Sequence, residues 1–277
     1  MRDVARIRAE AGLPGLDELG HELRYVARWQ AVVSLAVPWC CLGIYTLAAL
    51  LGWWPVAVAG TVLLSFFTYG SVSHDLVHGN LGLSRRWNRR WLTAIEMLCL
   101  RSGTAYQAAH LHHHSRFPAD DDLEGAAAGM PFHRAVAEGL LMQPRLWWWA
   151  WRRCKPLRTR LVLEAGGVVG IVTLSLAMLP YTLRPAAYCG LMIGGSWIIP
   201  VMTSFIPHDA HADRPLAQTR RFRGRLASLL AVEHLYHLEH HLYPQVPHHH
   251  WKALAWRLDP YFDRAGVKAI GRRSGRG

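Results

Sequence analysis

Positive charge is missing from four long stretches of this chain, and that distribution limits its possible folds more than any other feature. Residues 31–51, 56–73, 161–179 and 186–206 are apolar runs of the length a helix needs to cross a bilayer, about 20 residues. Short turns at 52–55 and 180–185 join them in pairs. Of the 31 Lys and Arg residues, only Arg184 falls in those turns; the rest lie in 1–30, 74–160 and 207–277. Basic loops gather on the cytoplasmic side of a membrane protein. The expected fold is therefore an all-α integral membrane protein, one domain over 1–277, with four transmembrane helices in two hairpins. A cytoplasmic helical cap is expected from 74–160 and 207–277.

The net charge of +12 raises the question of nucleic acid. The charge is segregated rather than interleaved with aromatic residues in a nucleic-acid motif, so no nucleic-acid partner is expected. The cysteines, at 40, 41, 99, 154 and 189, form no C-x-x-C pair and no disulfide framework. The first thirty residues lack the apolar core and cleavage site of a signal peptide. Leu13, Leu16, Leu19 and Leu23 recur there at helical spacing, which predicts an amphipathic helix lying on the membrane surface. The run 92–100 contains Glu96 and is too short to cross; an interfacial or re-entrant helix is expected. Trp147, Trp148, Trp149 and Trp151 lie beside Arg152, Arg153 and Lys155, which suits either a headgroup anchor or a packing cluster.

Histidine carries the chemistry. His237, His240 and His241 stand at i, i+3 and i+4, on one face of a helix, and His110, His113 and His114 repeat the arrangement. His74 and His78 are spaced i, i+4, and His208 sits at the mouth of the fourth apolar run. All of these fall on the basic face, beside the ends of spans two and four. One zinc ion takes three or four protein ligands, so this set suffices for two metals with positions left open. Such sites suit iron that must meet oxygen, although imidazole alone does not exclude zinc, nickel or copper. A ligating histidine usually donates its other N–H to a carboxylate. Asp75, Asp121 within the run 120–122, Asp209 and Glu239 are expected in that role. His112, His211 and His234 are spare, and His133 and His248–His250 read as polar surface positions. Tyr25 at i+4 from His21 rules out an H-E-x-x-H protease helix.

No nucleotide-binding glycine loop and no haem attachment pair occurs, so electrons must come from a separate carrier, such as a ferredoxin or cytochrome. The basic face would steer an acidic carrier. The three histidine boxes in this order, after hydrophobic hairpins, resemble the membrane fatty acid desaturase superfamily. That superfamily includes acyl desaturases and carotenoid ring hydroxylases and ketolases. The resemblance runs from about His74 to Trp251. It implies a non-haem di-iron centre with oxygen and external electrons as co-substrates, and an apolar substrate tunnel between the spans. Carried over, the iron ligands are His74, His78, His110, His113, His114, His237, His240 and His241, with His208 as the additional histidine before the third box.

The resemblance also bears on substrate. His74-Asp75-Leu76-Val77-His78-Gly79, the acidic run and Pro207-His208 look like bacterial carotenoid ketolases and hydroxylases. Leu238-Glu239-His240-His241-Leu242-Tyr243-Pro244 is equally similar to the last box of acyl desaturases. The function expected is oxidation of an unactivated C–H bond in a lipid, first a carotenoid ring and second a fatty-acyl chain. A metal transporter or sensor would need polar residues along a path through the spans. Glu164, near one end, is almost the only such residue there.

Overall fold

A computed structural model describes residues 4–224 and 235–271. Among these residues, four helical runs are long and apolar enough to cross a membrane: His21–Leu50, Trp54–His78, Lys155–Ala177 and Arg184–Phe205. The first long helix after three short N-terminal turns is α3, Arg28–Leu50. It leaves Val32, Val33, Leu47 and Leu50 exposed. A surface this apolar is stable only against lipid or another apolar partner.

Gly52, in the left-handed region at φ 75°, turns the chain after α3. Helix α4, Trp54–Phe67, then starts with Pro55 in its first turn, where a missing N–H costs nothing. The two helices touch at Gly60, where an added Cβ would stand 3.2 Å from the Tyr45 nitrogen. Small residues at such crossings allow close packing in a bilayer. The third and fourth runs are built on α9, Arg158–Ala177, and α10, Arg184–Gly195. Arg184 is the one cation of the turns. Its Nε donates to the Ala49 carbonyl at 2.9 Å, placing a cation on the last turn of α3, where the helix dipole favours it.

Two spans change their winding as they near the histidines. Span two passes from α4 through a π turn at Thr68–Val72 into α5, Ser73–His78. Span four ends in a second π turn, Val201–Phe205. Such turns insert a residue into a helix and recur at functional sites. The sequence reading ended span two at residue 73. Instead the helix continues to His78, and Gly79, at φ 76°, terminates it. His74 and His78 are thus fixed on the last turns of a membrane helix.

The intervening segment holds α6, Arg85–Leu98, α7, Gly103–Arg116, and α8, Phe132–Arg153. The Ser102 hydroxyl caps α7 by accepting from the Ala105 N–H at 3.0 Å. Beyond span four come α11, His237–Leu242, and α12, Trp251–Arg264.

The amphipathic membrane-surface helix expected near the N-terminus does not form. The stretch breaks into α1, Val4–Glu10, α2, Leu16–Leu19, and a 3-10 turn at His21–Arg24. Gly12 and Gly20, both at positive φ, interrupt it. Leu13, Leu16, Leu19 and Leu23 face protein, in a core with Leu238, Trp251, Leu254 and Leu258. Tyr243 locks this core by donating to the Pro14 carbonyl at 2.7 Å. The same periodicity serves a protein core as well as a lipid surface, so spacing alone did not distinguish them. Most of the tryptophan group also packs inward. Trp147 and Trp151 stack at 5.4 Å, Trp149 donates to the Asp121 carbonyl at 3.3 Å, and Trp148 stays exposed.

Candidate metal centre

The nine histidines singled out in the sequence assemble into two groups. His74, His78, His110, His114 and His240 form one; His113, His208, His237 and His241 form the other. Within each group the ligand atoms lie within 4.8 Å of one another. Helix geometry explains the sorting. In α7 the i, i+4 pair His110 and His114 serves the first group while His113, turned about 100° from His114, serves the second. Helix α11 does the reverse: His237 and His241 form its i, i+4 pair in the second group, and His240 crosses to the first. Each H-x-x-H-H box therefore bridges both groups. Span two completes the first group through His74 and His78, and His208, just past span four, completes the second.

The ring nitrogens converge. In the first group the Nε2 atoms of His74 and His240 are 3.0 Å apart, those of His78 and His110 3.1 Å, and those of His114 and His240 2.7 Å. In the second, His241 Nε2 lies 3.0 Å from His237 Nε2 and 3.2 Å from His208 Nε2. The groups adjoin, with the His114 and His241 rings stacked at 4.4 Å.

Burial disfavours the charged form of an imidazole. It holds His114, His208, His240 and His241 well below the ordinary histidine pKa, and neighbouring imidazoles add to the effect. His113 differs. Burial pulls its pKa down, but the Asp122 carboxylate, 2.7 Å from Nδ1, outweighs that and raises it. Burial pushes Asp122 up in turn, and His113 more than compensates, leaving its carboxyl below the usual value.

Two carboxylates orient rings. Asp122 takes the Nδ1 proton of His113, and Glu124 Oε1 takes that of His110 at 2.9 Å. Each ring then presents a bare Nε2 lone pair inward. His110 Nε2 meets both His78 and His114 Nε2 at 3.1 Å, and a ring that gives its proton to Glu124 has none left to donate there. Converging lone pairs of this kind are stabilised by a cation. Nitrogens about 2.1 Å from one ion and at right angles about it stand about 3 Å apart. The spacing and burial of the donor set therefore fit bound metal.

The carboxylates expected from the sequence are placed elsewhere. Asp121 points outward to Arg153 at 2.9 Å, Arg116 at 3.3 Å and His112 at 3.3 Å. The Arg153 hydrogen bond chiefly holds its pKa down at about 2. A tight turn after α7 sends neighbouring side chains opposite ways, so Asp122, not Asp121, reaches a gathered ring. Asp75 is buried and accepts from the His248 Nδ1 at 2.6 Å and its backbone N–H at 3.1 Å. It thereby anchors a histidine that sequence reading assigned to the surface. Asp209 meets Arg220 at 3.8 Å, whereas His208 Nδ1 lies 3.2 Å from the Ser204 carbonyl. Glu239 faces away from the rings, bound to Arg223 at 2.6 Å. Burial raises its pKa despite that partner. Glu124 had no sequence signal, since fourteen residues separate it from His110. His249 reaches Ser34 Oγ at 2.9 Å, the His211 backbone N–H donates to Asp209 Oδ1 at 3.2 Å, and His234 lies outside the described residues.

A small apolar cleft opens between spans two and four beside this centre, lined by Phe66, Tyr69, Ile199 and Met202. Tyr69 stacks on Tyr106 at 4.2 Å, and the Tyr106 ring lies 5.6 Å from that of His110. The stacked tyrosines therefore link the lining of this cleft to the first histidine group.

Buried imidazole clusters beside membrane-length helices define a class, membrane proteins equipped to hold metal ions. The model of the fatty acid desaturase family matches residues 48–272, and the chain belongs to that family. It is accordingly a membrane oxidoreductase of lipid C–H bonds that uses oxygen and an electron donor. Among curated proteins none matches this chain.

Proposed function

We propose that this protein is a di-iron oxygenase that hydroxylates or ketolates a carotenoid ring. The single observation that carries the metal assignment is the bridging of two buried imidazole groups by each of the two H-x-x-H-H boxes. His74, His78, His110, His114 and His240 hold one iron, and His113, His208, His237 and His241 hold the other. Bound iron at these positions supplies the activation of oxygen and accepts electrons from a separate carrier such as a ferredoxin or cytochrome. The chain's own residues do the rest. Glu124 and Asp122 fix the tautomer and angle of His110 and His113. Phe66, Tyr69, Ile199 and Met202 line a narrow apolar crevice between spans two and four that widens to admit the substrate, and Tyr106 stacks on Tyr69 behind it. The apolar walls keep bulk water from the reacting carbon.

The basic loops support a cytoplasmic position for this centre, with the spans as two hairpins and 74–160 and 207–277 as a helical cap. The whole of 1–277 acts as one unit. The carotenoid reading is supported by His74-Asp75-Leu76-Val77-His78-Gly79 and Pro207-His208. Fatty-acyl desaturation is the second reading, supported by Leu238-Glu239-His240-His241-Leu242-Tyr243-Pro244. Expression in cells that make beta-carotene, followed by pigment and fatty-acid profiling, separates them. Hydroxylated or keto carotenoids with unchanged acyl chains support the first; new double bonds in acyl chains with unchanged pigment overturn it. His113→Ala and His240→Ala should abolish either product while the protein remains inserted.

A further inference from the structure

A cleft outside the two histidine groups gathers arginines that form no ion pair among the described residues. It lies between α6 and the first turns of α7 and α9, with a volume of about 500 Å³. Arg86, Arg89 and Arg90 of α6 and Arg160 of α9 line it, over a floor that includes Met97 and Leu157. All four arginines are exposed. Among the described residues none of them forms an ion pair, whereas Arg116, Arg153 and Arg223 all meet carboxylates. Arg90 instead lies over the Trp87 ring at 5.0 Å. The nearby carboxylate, Glu164, is engaged by neutral donors: Thr93 Oγ1 at 2.7 Å, Thr104 Oγ1 at 2.8 Å and Ser102 Oγ at 2.5 Å. Four cations therefore face one carboxylate.

The position of the cleft defines its ligand. Arg160 sits at the start of a membrane-length helix, and the residues just below it, Val162 and Leu163, are exposed apolar side chains. Helix α6 lies with Leu92 and Ile95 buried and its arginines outward, as an interfacial helix does. The site is cationic at headgroup depth and apolar beneath. A soluble anion has no use for the lower wall; a phospholipid uses both.

We propose that this cleft binds the headgroup phosphate of an anionic phospholipid from the leaflet on the histidine side, with its acyl chains along α9. The site is built into the scaffold of the metal centre. Thr104 and Gln107 line the cleft and belong to α7, and Gln107 Nε2 donates to the Val77 carbonyl, beside His78, at 2.9 Å. A lipid held here braces the junction of α7 and α5.

The test uses delipidated full-length protein in neutral detergent, with native mass spectrometry and thermal melts. Phosphatidylglycerol should bind and raise the melting midpoint, while phosphatidylcholine and inorganic phosphate should do neither at matched concentration. R86Q/R90Q should weaken phosphatidylglycerol binding by roughly fivefold per arginine, and the effect should shrink with salt. R152Q, elsewhere on the basic surface, should leave it unchanged. Equal binding of phosphatidylcholine, equal stabilisation by phosphate, or the same loss in R152Q would each overturn the proposal. So would R86Q/R90Q losing affinity for an acidic redox protein while keeping that for phosphatidylglycerol. Both variants alter exposed side chains, and wild-type melts against the two lipids decide the matter even without them.

Discussion

Replacing Glu124 should damage the metal centre far more than replacing Asp121, although Asp121 stands nearer the second box in sequence. Glu124 is 4% exposed and accepts from His110 Nδ1 at 2.9 Å, with Tyr69 Oη at 3.4 Å on the same oxygen. A hydrogen bond to a charged group contributes about 1.5–3 kcal/mol, which is roughly 10- to 150-fold in a binding constant. Glu124→Gln keeps an acceptor at that oxygen and removes the charge, so iron affinity should fall about tenfold. Glu124→Ala leaves a buried Nδ1–H without a partner and frees the ring to turn, so the loss should approach 100-fold. Asp121→Asn breaks only contacts at the exposed Arg116 and Arg153, and affinity should stay within about twofold. The assay is ferrous-ion titration of metal-free protein, with retained iron measured after dialysis. Equal losses in Asp121→Asn and Glu124→Gln, or full iron retention in Glu124→Ala, would refute the argument that carboxylate contact orients these rings.

Two further outcomes follow from buried charge. Arg223→Met should destabilise the fold by about 3–5 kcal/mol in thermal or denaturant unfolding, because it strands the buried Glu239 carboxylate. The pair R223M/E239L should recover part of that loss; a double variant worse than the single would contradict it. Acidification should weaken the metal-free protein. His114, His208, His240 and His241 have folded pKa values below their unfolded values, so the unfolded chain takes up more protons as pH falls through about 6.5. His113, shifted upward, acts in the opposite sense but is outnumbered. Melting midpoints of iron-free protein should thus decline from pH 7 to pH 5, and a flat or rising profile would show that these rings are charged or solvated.

The spans and the ring cluster were legible in the sequence because both rest on local rules. Bilayer thickness sets the length of an apolar run, and the i, i+3, i+4 spacing fixes which rings a short helix presents together. What was not legible depends on turns and on distant pairing. The exchange of Asp121 for Asp122 turns on one step of a tight loop, visible only when Asp122 also accepts the Gly125 N–H at 3.1 Å. Glu124 and Arg223 carry no periodic signal, since their partners His110 and Glu239 lie 14 and 16 residues away. The N-terminal leucines were seen as a stripe, but the stripe alone did not say that Leu238 and Trp251 would cover it.

The central claim is that each of the two H-x-x-H-H boxes contributes to both of two ion sites. Diffraction from crystals of protein purified with its native metal, with anomalous data collected across the iron edge, tests this most directly. Two iron peaks are predicted, one among His74, His78, His110, His114 and His240 and the other among His113, His208, His237 and His241. A single peak, or a peak bound by the rings of one box alone, would contradict it.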